Sequence, residues 1–293
     1  MLIKKTMVVL VCFWLLSACT STQNEVKPTS DLPSAEVAVK NGTLYFKDED
    51  TFVRIINQLN AENADLDAWE KSLNFTNSLR QNQKDDEALD IPDPVFAAIL
   101  NKDGVYYIGN EIHKVTSKYE YVIKDGDADK LKAVTAGNVQ NLKGVVAHEI
   151  KFGVAAQNFN ARFQGKSTRK KTPYSNATHL SAHLEAWDRT YALYASVGIR
   201  IKGRKKKRRK WKDDDMWFAQ VDWRAYTEVC SGTGCSGKAL LTGSQSGRNT
   251  KSVSKTISYA GGIGVWHVTD YIEGDFQYND DGYPMVTWSE RWD

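Results

Sequence analysis

The chain has 293 residues, a formal net charge of +3 at pH 7, 41% hydrophobic residues and nine tryptophans. A chain of this length and aromatic content can bury a sizeable core and is long enough for two modest domains. After its first 18 residues it has no apolar run long enough to cross a bilayer, which excludes a protein with several membrane-spanning helices.

Residues 1–18 have the three parts of a secretory signal peptide. Lys4 and Lys5 precede the apolar run MVVLVCFWLL, and the small residues Ser17 and Ala18 follow it. The apolar run is too short to span a membrane comfortably. We therefore predict that the chain is exported and that this segment is removed.

The segment Leu16-Ser17-Ala18-Cys19 resembles the lipobox of bacterial lipoproteins. The resemblance implies that the Cys19 thiol receives a diacylglycerol and that Cys19 becomes the first residue of the mature chain. Several acyl chains on one residue give stable membrane anchoring, whereas one chain gives marginal anchoring. Thr20, rather than Asp, follows the cysteine, which by the enterobacterial sorting rule favours the outer membrane. The alternative is a plain signal peptide with a chance cysteine.

Residues 19–40 are polar after the cysteine, contain two prolines and predict a flexible tether. The charge is divided unevenly along the remaining chain. From Thr20 to Val95 there are 15 acidic and 7 basic residues, whereas the rest has 21 acidic and 30 basic residues. Such a split predicts two units with different surfaces.

Residues 41–146 predict a small α+β domain. After a short strand over Thr43–Phe46, Asp48 is placed to cap a helix and Asp65 a second one. A helical turn from Pro94 and a hairpin over Val105–Val115 follow. The first helix places its apolar residues at helical spacing: Phe52, Ile55, Ile56 and Leu59.

Several short motifs resemble a group of uncharacterised secreted lipoproteins from Bacteroidetes-type bacteria. The motifs are the strand LYF, Trp69-Glu70-Lys71-Ser72-Leu73-Asn74-Phe75, Leu100-Asn101-Lys102-Asp103-Gly104, Ile108-Gly109-Asn110-Glu111-Ile112-His113-Lys114 and Ala195-Ser196-Val197-Gly198. The resemblance agrees with the anchor and the two-part layout. It implies no catalytic residue, because the group has no assigned activity.

Residues 147–293 predict an antiparallel β-sandwich. Alternating apolar residues and glycine-rich turns recur at spacings typical of that class. The predicted strands are residues 158–166, 191–201, 216–229, 251–260, 263–276 and 283–292, with residues 179–187 fitting either a strand or a helix. We expect the tryptophans at alternating positions, such as Trp217 and Trp223, to lie in the core. The alternative is that they form a platform for a sugar ring.

Cys230 and Cys235 are the cysteines left after the signal and the lipidation site. Outside the cytoplasm a disulfide is the natural interpretation, and the glycine-rich spacer between them can form a turn. A zinc site and two free thiols are the alternatives. Zinc needs further ligands, and no histidine lies nearby in the sequence.

The segment Arg200 to Lys212 carries ten basic residues in thirteen and is followed by three aspartates. Like charges at this density repel, so we expect a solvent-exposed hairpin tip between two strands. The segment could attract lipopolysaccharide phosphates, acidic glycans or extracellular nucleic acid. The alternative is a solvated hairpin that its own aspartates partly neutralise. The candidate polyanion-binding residues are Arg204, Lys205, Lys206, Lys207, Arg208, Arg209, Lys210 and Trp211.

Other motifs do not complete a site. His148-Glu149 lacks the second histidine of a zinc-protease motif. His179 and His183 could share a metal only on a helix. The segment Asn279 to Gly282 lacks the spacing of a calcium loop. We therefore expect neither a metal nor a cofactor.

The sequence favours a non-enzymatic binding or interaction protein, anchored in the cell envelope, above other functions. The alternative is a polysaccharide-active hydrolase whose carboxylate pair the sequence does not reveal. A cleft that holds two close carboxylates would favour the hydrolase, and exposed charges alone would favour binding.

Overall fold

The computed structural model describes residues 36–82, 89–139, 142–152, 170–173, 180–207 and 210–293. For residues 170–173, 180, 206, 207, 210 and 211 it describes the backbone alone. The predicted signal peptide, Cys19 and most of the predicted tether lie outside these residues. The described chain is mostly β, with several largely antiparallel sheets.

The first sheet has six strands, which pair in chain order. The strands are β1 (Val37–Lys40), β2 (Thr43–Phe46), β3 (Val105–Ile108), β4 (Glu111–Val115), β5 (Tyr119–Ile123) and β6 (Val145–Glu149). All neighbours are antiparallel except β2 and β3. The last four residues of the predicted tether form β1, because they pair with β2 across the turn at Asn41 and Gly42.

Five helices of the described chain lie, in sequence, between strands of this first sheet. They are α1 (Glu49–Leu59), α2 (Leu66–Ser72), α3 (Leu79–Asn82), α4 (Pro94–Ile99) and α5 (Ala128–Thr135). The two predicted aspartate caps are confirmed: Thr51 N donates to Asp48 Oδ1 at 2.8 Å, and Ala68 N donates to Asp65 Oδ1 at 3.0 Å. None of the described helices is long and apolar enough to span a membrane.

The apolar face of α1 and the following turns form as the sequence predicts. The four predicted apolar residues of α1 are all buried in one core with the sheet. The hairpin β3–β4 turns at Gly109 and Asn110. Before β3, Gly104 has φ 73°, and an added Cβ would lie 2.7 Å from the carbonyl oxygen of Val115. Glycine is therefore required at this turn.

The rest of the described chain is almost entirely strand. In chain order the strands are β7 (Lys151–Phe152), β8 (Lys170–Pro173), β9 (Leu180–Thr190), β10 (Tyr194–Lys207), β11 (Lys210–Asp213), β12 (Met216–Ser231), β13 (Gly234–Cys235), β14 (Ala239–Thr250), β15 (Ser252–Gly261), β16 (Trp266–Asn279) and β17 (Val286–Trp292). The segment that fitted a strand or a helix is therefore a strand from Leu180. The predicted strand over 158–166 lies outside the described residues.

These strands form two further sheets. In the second sheet β9 and β10 pair along most of their lengths, β15 and β11 pair with successive parts of β10, and β7 and β8 pair with β9. In the third sheet the order is β14, β12, β16, β17, and β13 pairs with the end of β12. The turn between β14 and β15 joins an edge of one sheet to an edge of the other.

The strand β14 was not predicted. Its sequence, ALLTGSQSGRNT, is rich in glycine, serine and asparagine, which are typical of turns. It is a strand because β12 pairs with it continuously, from Met216 opposite Thr250 to Thr227 opposite Ala239. Pairing with a neighbour therefore overrides its weak intrinsic preference for β structure.

One apolar core buries side chains from both of these sheets together. Leu184 of β9 and Val197 and Ile199 of β10 come from the second sheet, whereas Val221 of β12 and Phe276 of β16 come from the third. The opposite face of the second sheet is more polar and contacts the segment that leads into α4. There Ser254 Oγ donates to the carbonyl oxygen of Pro92 at 2.7 Å.

Residues Ala35–Asp293 form one compact unit. The predicted boundary between residues 146 and 147 falls inside β6, which pairs with β5 in the first sheet. Buried polar contacts cross that boundary: Ala192 N donates to Glu120 Oε2 at 2.7 Å, and Tyr194 Oη donates to Asp93 Oδ2 at 2.6 Å.

Candidate functional site

The basic segment lies where the sequence places it, in a hairpin. β10 and β11 pair antiparallel with Arg204 opposite Asp213 and Lys207 opposite Lys210. The tip residues Arg208 and Arg209 lie outside the described residues. Their neighbours Lys206, Lys207, Lys210 and Trp211 are described by their backbone alone.

The prediction that the whole basic segment is exposed is wrong at its start. Arg200 is buried and binds Asp90 with two hydrogen bonds of 3.1 and 2.9 Å, and it also contacts Glu185. Lys202 forms an ion pair with Asp213. The buried guanidinium of Arg200 is tolerated because carboxylates pair with it. These carboxylates, on Asp90 and Glu185, are not adjacent to Arg200 in the sequence.

Two of the candidate polyanion-binding residues also have acidic neighbours. Arg204 Nε lies 3.4 Å from Asp213 Oδ1. Lys205 Nζ lies 3.3 Å from Asp280 Oδ2 and 3.8 Å from Asp214 Oδ2. These carboxylates lower the positive potential at the base of the hairpin. Any attraction of a polyanion would therefore depend mainly on residues 206–212.

The predicted disulfide is confirmed. Cys230 and Cys235 are bonded and lie opposite each other across the β12–β13 turn. Glu228 lies close enough to the two sulfurs to suggest a three-ligand metal site. Sulfurs joined in a disulfide are not thiolates, however, and a cysteine binds zinc only as a thiolate. The arrangement therefore stabilises the turn.

The residues that were considered for a metal site, and for which none was expected, lie apart from one another in the described chain. His183 lies on a strand and its Nε2 atom is 3.4 Å from Arg204 Nη1, whereas His179 lies outside the described residues. His148 is exposed on β6. Asn279 is the last residue of β16, and Asp280 to Gly282 lie in the connection from β16 to β17.

A buried polar network between β3, β4 and β5 was not predicted from the sequence. Tyr106 Oη donates to Glu120 Oε1 at 2.6 Å, and His113 Nδ1 lies 2.9 Å from the same oxygen. Burial disfavours the Glu120 carboxylate, but the contacts with His113 and Tyr106 and the backbone N–H of Ala192 outweigh this cost and lower its pKa. The network is enclosed, because Glu120 and Tyr106 are fully buried. It therefore stabilises the fold and has no open access for a substrate.

A second buried polar group lies between the second and third sheets. Burial raises the pKa of Asp188 to about 7, and the Thr269 side chain offsets this only in part. Thr269 Oγ1 lies 2.9 Å from Thr227 Oγ1. Nearby in the sequence, His267 Nε2 lies 2.9 Å from Ser258 Oγ, and burial lowers the pKa of that histidine to about 4.

A cleft of about 860 Å³ lies between β14 and β15. Its size falls within the roughly 300–1,000 Å³ that is typical of ligand sites. We call it the β14 cleft. It is lined by Asn60, Glu62, Asn63, Trp223, Leu240, Leu241, Thr242, Gly243, Ser244, Gln245, Lys255, Thr256, Ile257 and Tyr259. Another cavity, of about 150 Å³, lies beside Arg189 and Phe152.

The β14 cleft combines an apolar floor with walls that are polar and mostly uncharged. Trp223 forms part of the floor and is 8% exposed, and Leu240 at the rim is 55% exposed. Amide and hydroxyl side chains of Asn63, Ser244 and Gln245 surround them. Among the residues that line the cleft, Glu62 is the one carboxylate, and it is exposed. The cleft can therefore form hydrogen bonds and apolar contacts, but the described residues that line it include no carboxylate pair for glycoside hydrolysis.

The two tryptophans that were expected in the core have different environments. Trp223 packs in the core that both sheets share, as predicted. For Trp217 the prediction is wrong, because it is 37% exposed and the guanidinium of Arg248 lies 4.9 Å from its ring. Met216 takes the buried position at the start of β12 instead. The alternation of buried residues in β12 therefore starts at Ala219 and continues through Val221 and Trp223, and Met216 is buried outside that alternation.

Comparisons with known proteins give little similarity. No known protein family matches the chain, and no curated protein matches it. Among solved structures, the chain is similar to a DUF4848 family protein from Bacteroides thetaiotaomicron at 12% identity and a TM-score of 0.22, over 87% of this chain and 100% of that one. A TM-score of this size does not establish a shared fold, so the resemblance to uncharacterised Bacteroidetes-type lipoproteins stays a prediction.

Proposed function

We propose that the protein is an exported lipoprotein that binds a partner through the β14 cleft and is held at the outer membrane by lipid on Cys19. The short apolar run before Leu16-Ser17-Ala18-Cys19 supports the export and the anchor. Thr20 after the cysteine supports the outer membrane. A polar tether of about 16 residues would separate the lipid from β1.

The fold part of the proposal is that the second and third sheets stack as a β-sandwich. Its support is the apolar core that contains Leu184 and Ile199 from one sheet and Val221 and Phe276 from the other. In a sandwich the inner faces of two sheets interdigitate in this way. One edge of this sandwich would then be open, and the turn between β14 and β15 would close one end of it. The β14 cleft would lie along this open edge.

The observation that carries the binding role is the chemistry of the cleft. Its described lining has many hydrogen-bonding groups and apolar side chains but one carboxylate, Glu62. A glycosidase needs two carboxyl groups, either roughly 5–5.5 Å or 6.5–9.5 Å apart. The buried carboxylates Glu120 and Glu185 instead contact side chains of this chain, and neither lines the cleft. This favours binding above the alternative, a polysaccharide-active hydrolase.

A matched pair of variants tests the proposal. Leu240→Glu adds a charge to the rim of the cleft, and Met285→Glu adds the same charge at an exposed residue just before β17, at the opposite edge of the third sheet. The full-length protein in detergent is tested with a displayed library of random seven-residue peptides and with maltohexaose, chitohexaose and a heparin hexasaccharide. Thermal stabilisation is measured, and each oligosaccharide and enriched peptide is then analysed by mass spectrometry.

We expect at least one probe to stabilise the native protein and Met285→Glu, but not Leu240→Glu, and to be recovered chemically unchanged. Hydrolysis of an oligosaccharide by the native protein would favour the hydrolase. Binding that Leu240→Glu leaves intact would place the binding surface elsewhere, and the absence of any binding would contradict the proposed function.

A further inference from the structure

We propose that the partner of the β14 cleft is an extended polypeptide segment, which pairs with the free edge of β14 as an added strand. This inference rests on the proposed function, because it assigns a class of partner to the same cleft. It depends on the position of β14 in its sheet, on which residues line the cleft, and on the sequence of that edge.

β14 is an edge strand. It pairs with β12 along its whole length, and in the described chain it pairs with no other strand. β15, which follows after a tight turn, pairs with β10 of the second sheet instead. An edge strand presents alternate backbone N–H and C=O groups to its open side. These groups are donors and acceptors that another extended chain can satisfy.

The cleft runs along this open side. Six consecutive residues of β14, Leu240 to Gln245, line it. Successive side chains of a strand point to opposite faces of the sheet, so a cleft over one face would be lined by every second residue. An unbroken run of six lining residues therefore indicates that the cleft borders the backbone edge. At about 3.4 Å per residue, this run is roughly 20 Å long and matches a segment of about six residues.

The sequence of this edge does not block pairing. Proteins commonly protect an edge strand with charged residues or proline. Residues 239–247 of β14, ALLTGSQSG, have neither, and Leu240 is 55% exposed. The other edge strand of this sheet, β17, carries Glu290 and Arg291. Of the two edges, β14 is therefore the one that is suited to an additional strand.

The lining also indicates the side chains of the partner. Leu240, Ile257 and Tyr259 offer apolar contacts, and the charged lining residues are one acid, Glu62, and one base, Lys255. An added strand directs every second side chain towards the same face. We therefore infer a partner segment with few charges and an apolar residue at every second position. In strand addition the backbone hydrogen bonds supply affinity, and contacts to alternate side chains supply specificity.

The test asks whether a bound peptide depends on hydrogen bonds from its own backbone. Random seven-residue peptides on display are selected on the full-length protein in detergent, after removal of peptides that bind Leu240→Glu. The best peptide is synthesised in three forms: unmodified, N-methylated at its even amides, and N-methylated at its odd amides. N-methylation removes a backbone donor and leaves the side chains in place. Met285→Glu serves as the matched control for the protein.

In a strand added to β14, the amides of one series face β14 and those of the other series face away. We expect one N-methylated form to bind at least about tenfold more weakly than the unmodified peptide, because several backbone hydrogen bonds are lost. The other form should bind about as well as the unmodified peptide, and binding to Met285→Glu should be unchanged.

Equal affinities of the two N-methylated forms would overturn strand addition, and so would a selection that yields no peptide. If an oligosaccharide binds instead and Leu240→Glu abolishes that binding, the proposed function stands and the polypeptide partner is wrong. If no probe depends on Leu240, both proposals fail.

Discussion

Gly243 of β14 lies directly against the indole of Trp223, its cross-strand neighbour on β12. A Cβ atom added at Gly243 would come within 2.3 Å of Cζ2 of that indole. The missing side chain therefore lets Trp223 lie beneath β14 and form the floor of the cleft. The position of one strand edge and the shape of the cleft depend on this contact.

Gly243→Ala should destabilise the protein and weaken binding in the cleft, because the tryptophan must move. Forcing an extra methyl group into a packed site costs about 1–3 kcal/mol. Chemical denaturation, monitored by tryptophan fluorescence, measures the change. Gly232→Ala is the control, since no atom lies within 4 Å of a Cβ added there. Equal stability of the two variants would contradict the packing described for Trp223.

Asp188→Asn should stabilise the protein at pH 8 and have little effect at pH 4.5. The pKa of Asp188 is about 7 in the folded protein, above its ordinary value of 3.8. A raised folded pKa makes this aspartate's contribution complete at low pH and lost as the pH rises from about 4 through about 7. The asparagine variant should therefore gain up to about 4 kcal/mol relative to the native protein at pH 8.

Urea denaturation of both proteins at the two pH values checks this prediction. Thr269→Val provides a second measurement, because it removes the hydroxyl group that lowers the pKa of Asp188. A stability difference between Asp188→Asn and the native protein that is the same at pH 4.5 and pH 8 would show that Asp188 does not titrate in this range.

Cys19→Ala should release the protein from membranes or leave an unprocessed precursor, because the thiol is the proposed acyl acceptor. Metabolic labelling of cells with a fatty acid, followed by fractionation, measures both effects. Cys12→Ala in the predicted signal peptide is the matched control and should keep the label. Label retained by Cys19→Ala would show that the lipid is attached elsewhere or that Cys19 is not lipidated.

The basic hairpin remains a candidate for binding polyanions. If its charge is used, replacing Lys206, Lys207, Arg208, Arg209 and Lys210 with glutamine should abolish most binding to heparin, lipopolysaccharide or DNA. Native binding should weaken as salt rises, because counterions are released on contact. Replacing Arg204 and Lys205 should have a smaller effect on binding, since Asp213, Asp214 and Asp280 already lie beside them. Binding is measured by fluorescence anisotropy at several salt concentrations.

Unchanged binding after the five replacements would show that the hairpin is a solvated surface. Whether or not binding changes, the variant with the five replacements should have the thermal stability of the native protein, because the replacements fall at the tip of the hairpin.

Local signals in the sequence were sufficient for local structure. Asp48 as a cap, the apolar face of α1 and the disulfide between Cys230 and Cys235 were all predicted, because their partners lie within a few residues. Burial of Arg200 was not predicted, since Asp90 lies 110 residues away. Long-range pairing of this kind leaves no periodic signal.

The β14 cleft could not be predicted for the same reason. Its lining comes from the loop after α1, from Trp223 and from two consecutive strands. β14 itself resembles a loop in sequence, because glycine and serine are frequent in it. The exposed Leu240 and the absence of charge over residues 239–247 are the signals that could have marked an open edge.

Amide hydrogen exchange along β14 tests the central claim most directly. The full-length protein in detergent is exchanged with and without the peptide selected on the native protein, and the amides of residues 240–245 are followed by mass spectrometry. We expect the peptide to slow amide exchange in this segment and to leave exchange of the amides of Val286–Trp292 unaffected. Leu240→Glu should abolish the protection of residues 240–245. Unchanged exchange over residues 240–245 in the presence of bound peptide would contradict the claim that the β14 cleft is the binding surface.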